Sequence, residues 1–395
     1  MASPTPRALI NPALLIWARE TSGISLEDAA RKIGVTVERL QDWEAGTSRP
    51  TIRQLQEAAR VYRRPFAAFY LPEPPTGFRV PHDFRLLPGG SARHYSPIAL
   101  SELRRIQHQR EVLLAIVEAG APTECELVGT MTLDDDPERA AARARSVLGV
   151  SVEEQLSWRD PSKAFRSWRQ ALERRQILVS QLQGVDVDEL RGFSIPHTEY
   201  PVVAVNNRDH PHGRIFTMMH ELAHLMLNRP GICDLEEVQR PHTTDQRIEQ
   251  LCNAFAAALL MPRSEMARRF PPVGHNRPTR WSGDDVESAS RALGVSREAV
   301  VRRLVTIGAT TFATYLQLRR TFQTEFEQQR AARKREKGGR GPTPAQSAIV
   351  RTGPMFARIV LDAYDREVIT GADLTDYLGV RMKHIPRIRK LAAER

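Results

Sequence analysis

The fold and the chemistry of this chain are decided by residues 214–228, which read Arg-Ile-Phe-Thr-Met-Met-His-Glu-Leu-Ala-His-Leu-Met-Leu-Asn. The stretch predicts a helix with apolar residues on nearly every face, and such a helix is normally buried. Its polar exceptions at the centre are His220, Glu221 and His224. Because a buried polar group without a partner costs about 1 to 3 kcal/mol, we expect these three side chains to contact a common partner.

The spacing of the two histidines is typical of a metal site. Side chains four residues apart lie on one helix face about 5 to 6 Å apart, so His220 and His224 can bind one ion. A catalytic zinc site uses three protein ligands and keeps a fourth position for water. Glu221 would lie beside that water and act as general base. A motif with three fixed letters also occurs by chance, in which case the histidines are ordinary polar residues of a half-buried helix.

A third ligand is expected from a second helix over 247–260, whose apolar residues recur with helical spacing before Pro262. Glu249 lies beside this apolar stripe and is the candidate ligand. The alternative is a carboxylate that interacts only with free N–H groups in the first helical turn. Cys252 follows one turn later on the same face and could touch the metal, but a small buried thiol that only packs is the favoured interpretation.

The two helices resemble those of the ImmA/IrrE metallopeptidase family. The shared stretches are Phe-Thr-x-x-His-Glu-Leu-x-His at 216–224, Glu-x-x-x-Asn-x-Phe-Ala-Ala-x-Leu-Leu-Met-Pro at 249–262, and the strand-like 201–206 before them. The resemblance implies a zincin-like fold that holds Zn²⁺. It implies ligand roles for the residues at 220, 224 and 249 and the base role for the glutamate at 221.

Two positions limit or extend this resemblance. The family usually has alanine at the position of Cys252. His275 is a candidate for stabilising the developing oxyanion, as a histidine or tyrosine does in related enzymes. No spacing rule places His275 relative to the metal ligands, so the interpretation without this role is favoured.

Residues 1–72 predict a helix-turn-helix domain. Ser25 and Thr36 cap the second and third helices, and Gly34 makes the turn between them. The order Gly34-Val-Thr, Trp43-Glu-x-Gly and Pro50-Thr resembles the XRE-type domain of Cro-like repressors.

The third helix of this domain would be the recognition helix, and its candidate DNA-binding residues are Thr36, Arg39 and Gln41. Its glutamates and aspartate leave the segment net acidic, which is unfavourable beside phosphates. Double-stranded DNA and a docked protein therefore both stay open as partners of this domain.

Composition limits the class of protein. The chain carries a net charge of +10 and a calculated pI of about 9.9, which favours contact with a polyanion, although basic runs are more often solvated surface. It has 3 cysteines, 41% hydrophobic residues and no apolar run long enough for a membrane span. The odd, well-separated cysteines and the absence of an export signal indicate a reducing cytoplasm.

The predicted fold class is mainly α with a small α+β core, made of a short antiparallel sheet from strands near 177–180, 192–195 and 201–205. The zinc helix would pack against this sheet, and a helical C-terminal region would follow. The chain is predicted to begin with a helix-turn-helix domain (1–72), a helical connecting region (73–160) and a peptidase core (161–268). A helical segment with a helix-turn-helix pattern (269–329), a basic flexible linker (330–346) and a small helical tail (347–395) would follow.

The resulting hypothesis is a zinc-dependent endopeptidase with a helix-turn-helix regulatory domain. Its expected substrate is a specific partner protein, such as a transcriptional repressor or antitoxin encoded nearby, in a stress, phage or mobile-element response. The alternative is a DNA-binding transcriptional regulator or toxin–antitoxin component in which proteolysis is secondary or absent. A purely structural zinc site is the third interpretation, and it would leave Glu221 without a role.

Overall fold

The computed structural model describes residues 6–75, 95–117, 124–229, 231–232, 243–269, 281–322 and 341–393. The chain divides into two compact units, Met1–Gln107 and His108–Arg395. His275, Cys233 and the basic run 330–337 lie outside the described residues, and the predicted six-part division of the chain stays a prediction.

The first unit contains the predicted helix-turn-helix bundle. Its helices are α1 (Pro12–Glu20), α2 (Leu26–Ile33), α3 (Val37–Glu44) and α4 (Ile52–Tyr62), followed by a 3₁₀ turn at Phe66–Tyr70. The predicted caps are confirmed: the side chains of Ser25 and Thr36 accept from the backbone N–H groups three residues later. Gly34 ends α2 with φ of 81°, a left-handed conformation that glycine adopts without steric cost.

The core of this bundle is made by buried side chains from every helix. Among them are Leu15, Leu40, Trp43, Leu55 and Tyr62, none more than 1% exposed. The hydrophobic spacing predicted for the four helices therefore corresponds to one shared core.

Helix α5 (Pro97–Val117) runs across the division between the units. In the second unit, α6 (Pro137–Leu148), α7 (Val152–Ser157) and α8 (Pro161–Glu173) precede the sheet. Asp136 and Asp160 cap α6 and α8, and each of these helices has proline at its first position, where a missing N–H costs nothing.

The sheet has four strands in the order β1-β3-β2-β4: β1 (Leu178–Leu182), β2 (Gly192–Ile195), β3 (Val202–Asn206) and β4 (Gly231–Ile232). The three predicted strands are confirmed, but a wholly antiparallel sheet is wrong in one pairing. β2 pairs antiparallel with β3 and β4, whereas β1 pairs parallel with β3. β3 lies between β1 and β2, so the strand that follows β1 in the chain is not its neighbour, which strand-like composition does not reveal.

Helix α9 (Pro211–Met226) packs against β2 and β3 on one side and against α8 and α10 (Thr244–Leu260) on others. This arrangement buries α9 on nearly every face, as its sequence predicted. One hydrophobic core joins these helices to the sheet. The prediction of a mainly α chain with a small α+β core is confirmed.

The remaining helices are α11 (Arg263–Arg269), α12 (Gly283–Leu293), α13 (Arg297–Thr306), α14 (312–322), α15 (Pro344–Thr352), α16 (Pro354–Asp365), α17 (Gly371–Leu378) and α18 (Ile385–Ala393). Helices α16 and α17 lie within 347–395, the stretch for which a small helical tail is predicted. Helix α15 packs on β1, and the side-chain amide of Gln181 donates to the carbonyl of Val350 at 3.1 Å.

Within the described parts of the chain, no helix is both long and apolar enough to cross a membrane.

Candidate metal centre

The centre of α9 carries three buried polar side chains. His220 and Glu221 are 0% exposed and His224 is 2% exposed. The two imidazoles project from the same helix face, with ring centroids 4.9 Å apart. The helix begins with His210 as its cap and Pro211 at its first position, so the motif lies beyond the first turn, within the regular hydrogen-bonded part of the helix.

Helix α10 brings Glu249 to these histidines. A capping box between Thr243 and Gln246 begins the helix at Thr244, earlier than the sequence pattern indicated. Glu249 therefore lies in the second turn rather than the first, and Asp245 is the acidic residue of the first turn. The alternative in which Glu249 only serves first-turn N–H groups does not match this position.

Potential ligand atoms of three side chains meet at one point. His220 Nε2 lies 3.1 Å from His224 Nε2 and 3.2 Å from Glu249 Oε2, and His224 Nε2 lies 3.2 Å from Glu249 Oε1. Among the described residues, His220, His224 and Glu249 form the group of side chains that could hold a metal ion. Cys252 is not part of it; its fully buried side chain belongs to the hydrophobic core.

These distances fit a tetrahedral ion. Ligands about 2.0 to 2.2 Å from zinc in tetrahedral geometry are about 3.3 to 3.6 Å apart, close to the separations between atoms of the three side chains. The side chain of Glu249 is 13% exposed, so the protein shields most of the centre from solvent.

The protonation of His220 also fits a cation at this point. Its Nδ1 lies 3.0 Å from Asn253 Oδ1. Because an amide oxygen only accepts hydrogen bonds, Nδ1 carries the proton and Nε2 of the neutral ring presents a lone pair. That lone pair faces the carboxylate of Glu249 and the second histidine nitrogen, an arrangement that needs a proton or a metal ion between them.

Without a metal ion, the electrostatics of the group are those of an ion pair. The two histidines overcome the effect of burial and lower the pKa of Glu249 to about 2. Glu249 in turn raises the pKa of His220 despite its complete burial. A buried anionic carboxylate stabilises any cation bound between the three side chains.

Glu221 lies on the sheet side of the same helix and has a different environment. Burial raises its pKa, and the two histidines and the Ser194 hydroxyl oppose that rise. A carboxyl group whose pKa is raised is suited to accept and return a proton.

Glycines of β2 and β4 make room for this carboxylate. A Cβ atom on Gly231 would collide with the His224 ring and lie 2.7 Å from Glu221 Oε2. A Cβ atom on Gly192 would lie 2.5 Å from the Thr217 side chain and 2.6 Å from the Ala204 carbonyl oxygen, and it would collide with both. The backbone of β4 thus lies directly against the centre, which only glycine at position 231 permits.

Sequence reasoning missed β4, Gly231 and Asn253. Asn253 could have been found, because it follows Glu249 by four residues and so lies on the same helix face. The contribution of Gly231 depends on a two-residue strand that has no recognisable pattern.

The candidate DNA-binding residues lie on α3 of the first unit. Thr36 is the helix cap and its hydroxyl accepts from the backbone N–H of Arg39 at 3.2 Å. Arg39 is half-buried and Gln41 is exposed. Glu44 forms a bidentate pair with Arg19 at 2.8 and 3.0 Å, so one of the acidic residues counted against DNA binding is neutralised within the bundle.

Comparison with known proteins matches both regions. Residues 172–305 match the family described as the IrrE N-terminal-like domain of peptidase family M78. Residues 15–69 match the helix-turn-helix family.

Two curated relatives are both described as radiation response metalloprotease IrrE. The proteins of Deinococcus radiodurans and Deinococcus deserti are each 36% identical to this chain over 81 residues, 19% of the chain. The aligned part spans 25% and 29% of their respective lengths, about a quarter of each relative. Residues 172–305 are thus similar to the IrrE-like metallopeptidase domain, and a region similar to helix-turn-helix domains precedes them in the chain.

Proposed function

We propose that the chain is a zinc-dependent endopeptidase whose helix-turn-helix domain directs it to a specific partner protein. The observation that carries this proposal is the meeting of His220, His224 and Glu249 within 3.2 Å of one another, with Glu221 fully buried beside them. A structural zinc site would leave the adjacent buried carboxyl group of Glu221 without a role.

In this proposal the ligands are His220, His224 and Glu249, and Asn253 fixes the proton of His220 on Nδ1. Zinc, when bound, polarises the scissile carbonyl and lowers the pKa of water. Glu221 takes a proton from the attacking water and returns it to the leaving amine.

A peptide substrate would add to the sheet edge formed by β4. Of the two edge strands among the described residues, β1 is packed against α15. β4 lies at the opposite edge, and its Gly231 approaches His224 and Glu221. Strand addition reads the substrate backbone first and its side chains second, which places the scissile peptide beside the centre.

The proposed substrate class is a transcriptional repressor or antitoxin, and the proposed setting is a cytoplasmic stress, phage or mobile-element response. The name of the Deinococcus relatives, radiation response metalloprotease, supports a role in stress. The helix-turn-helix match supports a substrate that acts at DNA, since such a domain would bring the peptidase to the same place.

The test is cleavage of a repressor encoded next to this chain by wild-type and Glu221→Gln protein in the presence of zinc. Wild-type protein is expected to give discrete fragments, and Glu221→Gln to reduce the rate by a factor of about 10² to 10⁴ while still binding zinc. Glu124→Gln, an exposed site, is the matched control and is expected to cleave normally. Equal cleavage by both variants would refute the role of Glu221.

The second candidate function is a DNA-binding regulator in which cleavage is secondary. It is favoured by the Arg19–Glu44 pair, which removes one negative charge from the face of α3. In that case Glu221→Gln leaves repression of a promoter unchanged and no partner is cut. The proposed peptidase instead predicts that the inducing signal no longer switches on the regulated genes in a Glu221→Gln strain, whereas the regulator predicts normal induction.

A further inference from the structure

A cavity of about 400 Å³ lies in the C-terminal part of the second unit, away from the peptidase motif. It is bounded by α15, by residues 378–384 between α17 and α18, and by Gln183 just after β1. Its volume falls within the range of about 300 to 1,000 Å³ typical of small-molecule sites. The match to the IrrE-like domain ends at residue 305, so that match assigns nothing to this region.

The charge of the lining has one sign. Arg351, Arg381, Lys383 and His384 line the cavity, and no aspartate or glutamate is among the described residues that do so. A lining with cationic side chains and no acidic one favours an anionic ligand over a cationic one. Arginine and lysine with phosphate form charge-assisted hydrogen bonds that are about twice as strong as neutral ones.

The position of Arg351 is fixed by the backbone around it. Gly379 ends α17 with φ of 63°, and a Cβ atom there would collide with the guanidinium of Arg351. The Nε atom of Arg351 is buried. Its guanidinium therefore packs directly on the glycine backbone at the cavity wall, and little side-chain entropy is lost when such a group binds a ligand.

We propose that this cavity binds a small phosphorylated molecule, with its phosphate groups held by Arg351, Arg381, Lys383 and His384. Apolar side chains such as Ala348 and Leu378 share the lining and offer a surface for a ring or chain attached to the phosphate. A nucleotide combines both features. The apolar part of the lining favours a small molecule over a nucleic-acid duplex, whose phosphate backbone would leave that surface unused. The inference goes beyond the proposed peptidase function and does not depend on it.

The test is isothermal titration calorimetry of the full-length protein with ADP, adenosine and inorganic phosphate as probes. ADP is expected to bind saturably with one site per chain, phosphate more weakly, and adenosine, which lacks phosphate, not measurably. Lys383→Gln is expected to raise the dissociation constant for ADP about tenfold, since it removes one charged contact. Arg351→Gln is expected to raise it further.

Arg387→Gln is the matched control, because Arg387 is exposed on the same tail and does not line the cavity. Lys383 is also exposed, so its replacement tests binding even if Arg351→Gln unfolds the tail. The proposal is overturned if neither ADP nor phosphate binds saturably, or if Arg387→Gln weakens ADP binding as much as Lys383→Gln. It is also overturned if Lys383→Gln weakens binding of a DNA duplex with which ADP does not compete.

Discussion

The α9–α10 pair and helix α3 both carry polar residues that the sequence singled out, yet the two regions constrain function very differently. In α9 and α10 the polar side chains are buried and meet at 3.1 to 3.2 Å, so burial leaves few chemistries that satisfy them. On α3 the side chains of Thr36 and Gln41 are exposed, and water satisfies them whether or not a partner is present. The buried polar side chains of α9 and α10 therefore indicate one function, a metal site, whereas the exposed side chains of α3 are compatible with several.

The largest effect is expected from removing a ligand of the buried group. His220→Ala should reduce zinc affinity by more than a hundredfold and abolish peptidase activity, because two ligands do not hold the ion in a catalytic geometry. Zinc content after dialysis and the cleavage rate would be measured together. His108→Ala, at an exposed histidine, should change neither quantity; comparable losses in both variants would contradict a specific ligand role.

Glu173 is a buried carboxyl group outside the metal centre. It shows how far burial without a metal site changes the pKa of a carboxyl group and the stability of the protein. Glu173 at the end of α8 accepts from the backbone N–H of Met355 at 3.2 Å and lies 3.8 Å from both Arg169 and Arg358. Burial raises the pKa of Glu173 to about 7, and the two arginines oppose that rise.

The sign of its pH dependence follows from linkage. An unfolded glutamate ionises near pH 4.3, so the folded protein binds more protons between about pH 4 and pH 7 and loses stability as pH rises through that range. Relative to wild type, Glu173→Gln should gain up to about 3 kcal/mol between pH 4 and pH 8. Urea unfolding at each pH would measure this. A difference between the two proteins that is constant with pH would contradict the raised pKa of Glu173.

A smaller effect is expected at Asn253, which contacts His220 rather than the metal position. Asn253→Ala should weaken zinc binding about 10- to 100-fold, because the ring of His220 loses the acceptor that holds its proton on Nδ1. Competition with a fluorescent zinc chelator would give the affinity. Gln250→Ala, at an exposed position of the same helix, is the control. Unchanged affinity in Asn253→Ala would show that the hydrogen bond does not orient the ligand.

The smallest effect is expected on α3. If the helix contacts a DNA duplex, Arg39→Ala should weaken binding by about 1 to 3 kcal/mol, and Glu38→Gln should strengthen it by removing a negative charge near phosphate. Fluorescence anisotropy with operator fragments at fixed salt would measure both. If neither change affects binding, α3 does not contact DNA and a protein partner becomes the favoured interpretation for this surface.

The sequence predicted the positions of helices and strands better than it predicted how these elements pair and pack. Ser25, Gly34 and Thr36 encode the ends of helices through contacts within a few residues, so the helix-turn-helix elements could be located directly. The apolar spacing of α9 and α10 likewise located both helices that form the centre. The parallel pairing of β1 with β3 could not be predicted, because strand composition does not specify the neighbour.

In the site, too, the residues set by local sequence patterns could be predicted, and those set by tertiary contacts could not. His220, Glu221 and His224 follow from one helical repeat, and Glu249 from the apolar stripe of a second helix. Gly231 contributes only through the approach of β4 to His224, a contact made by tertiary packing.

The metal content of the purified protein would show most directly whether His220, His224 and Glu249 bind a catalytic zinc ion. We expect close to one zinc per chain in wild-type protein and in Glu221→Gln, and nearly none in His220→Ala. Absence of zinc from wild-type protein loaded with the metal, together with unchanged stability of His220→Ala, would rule out a zinc site at these three residues.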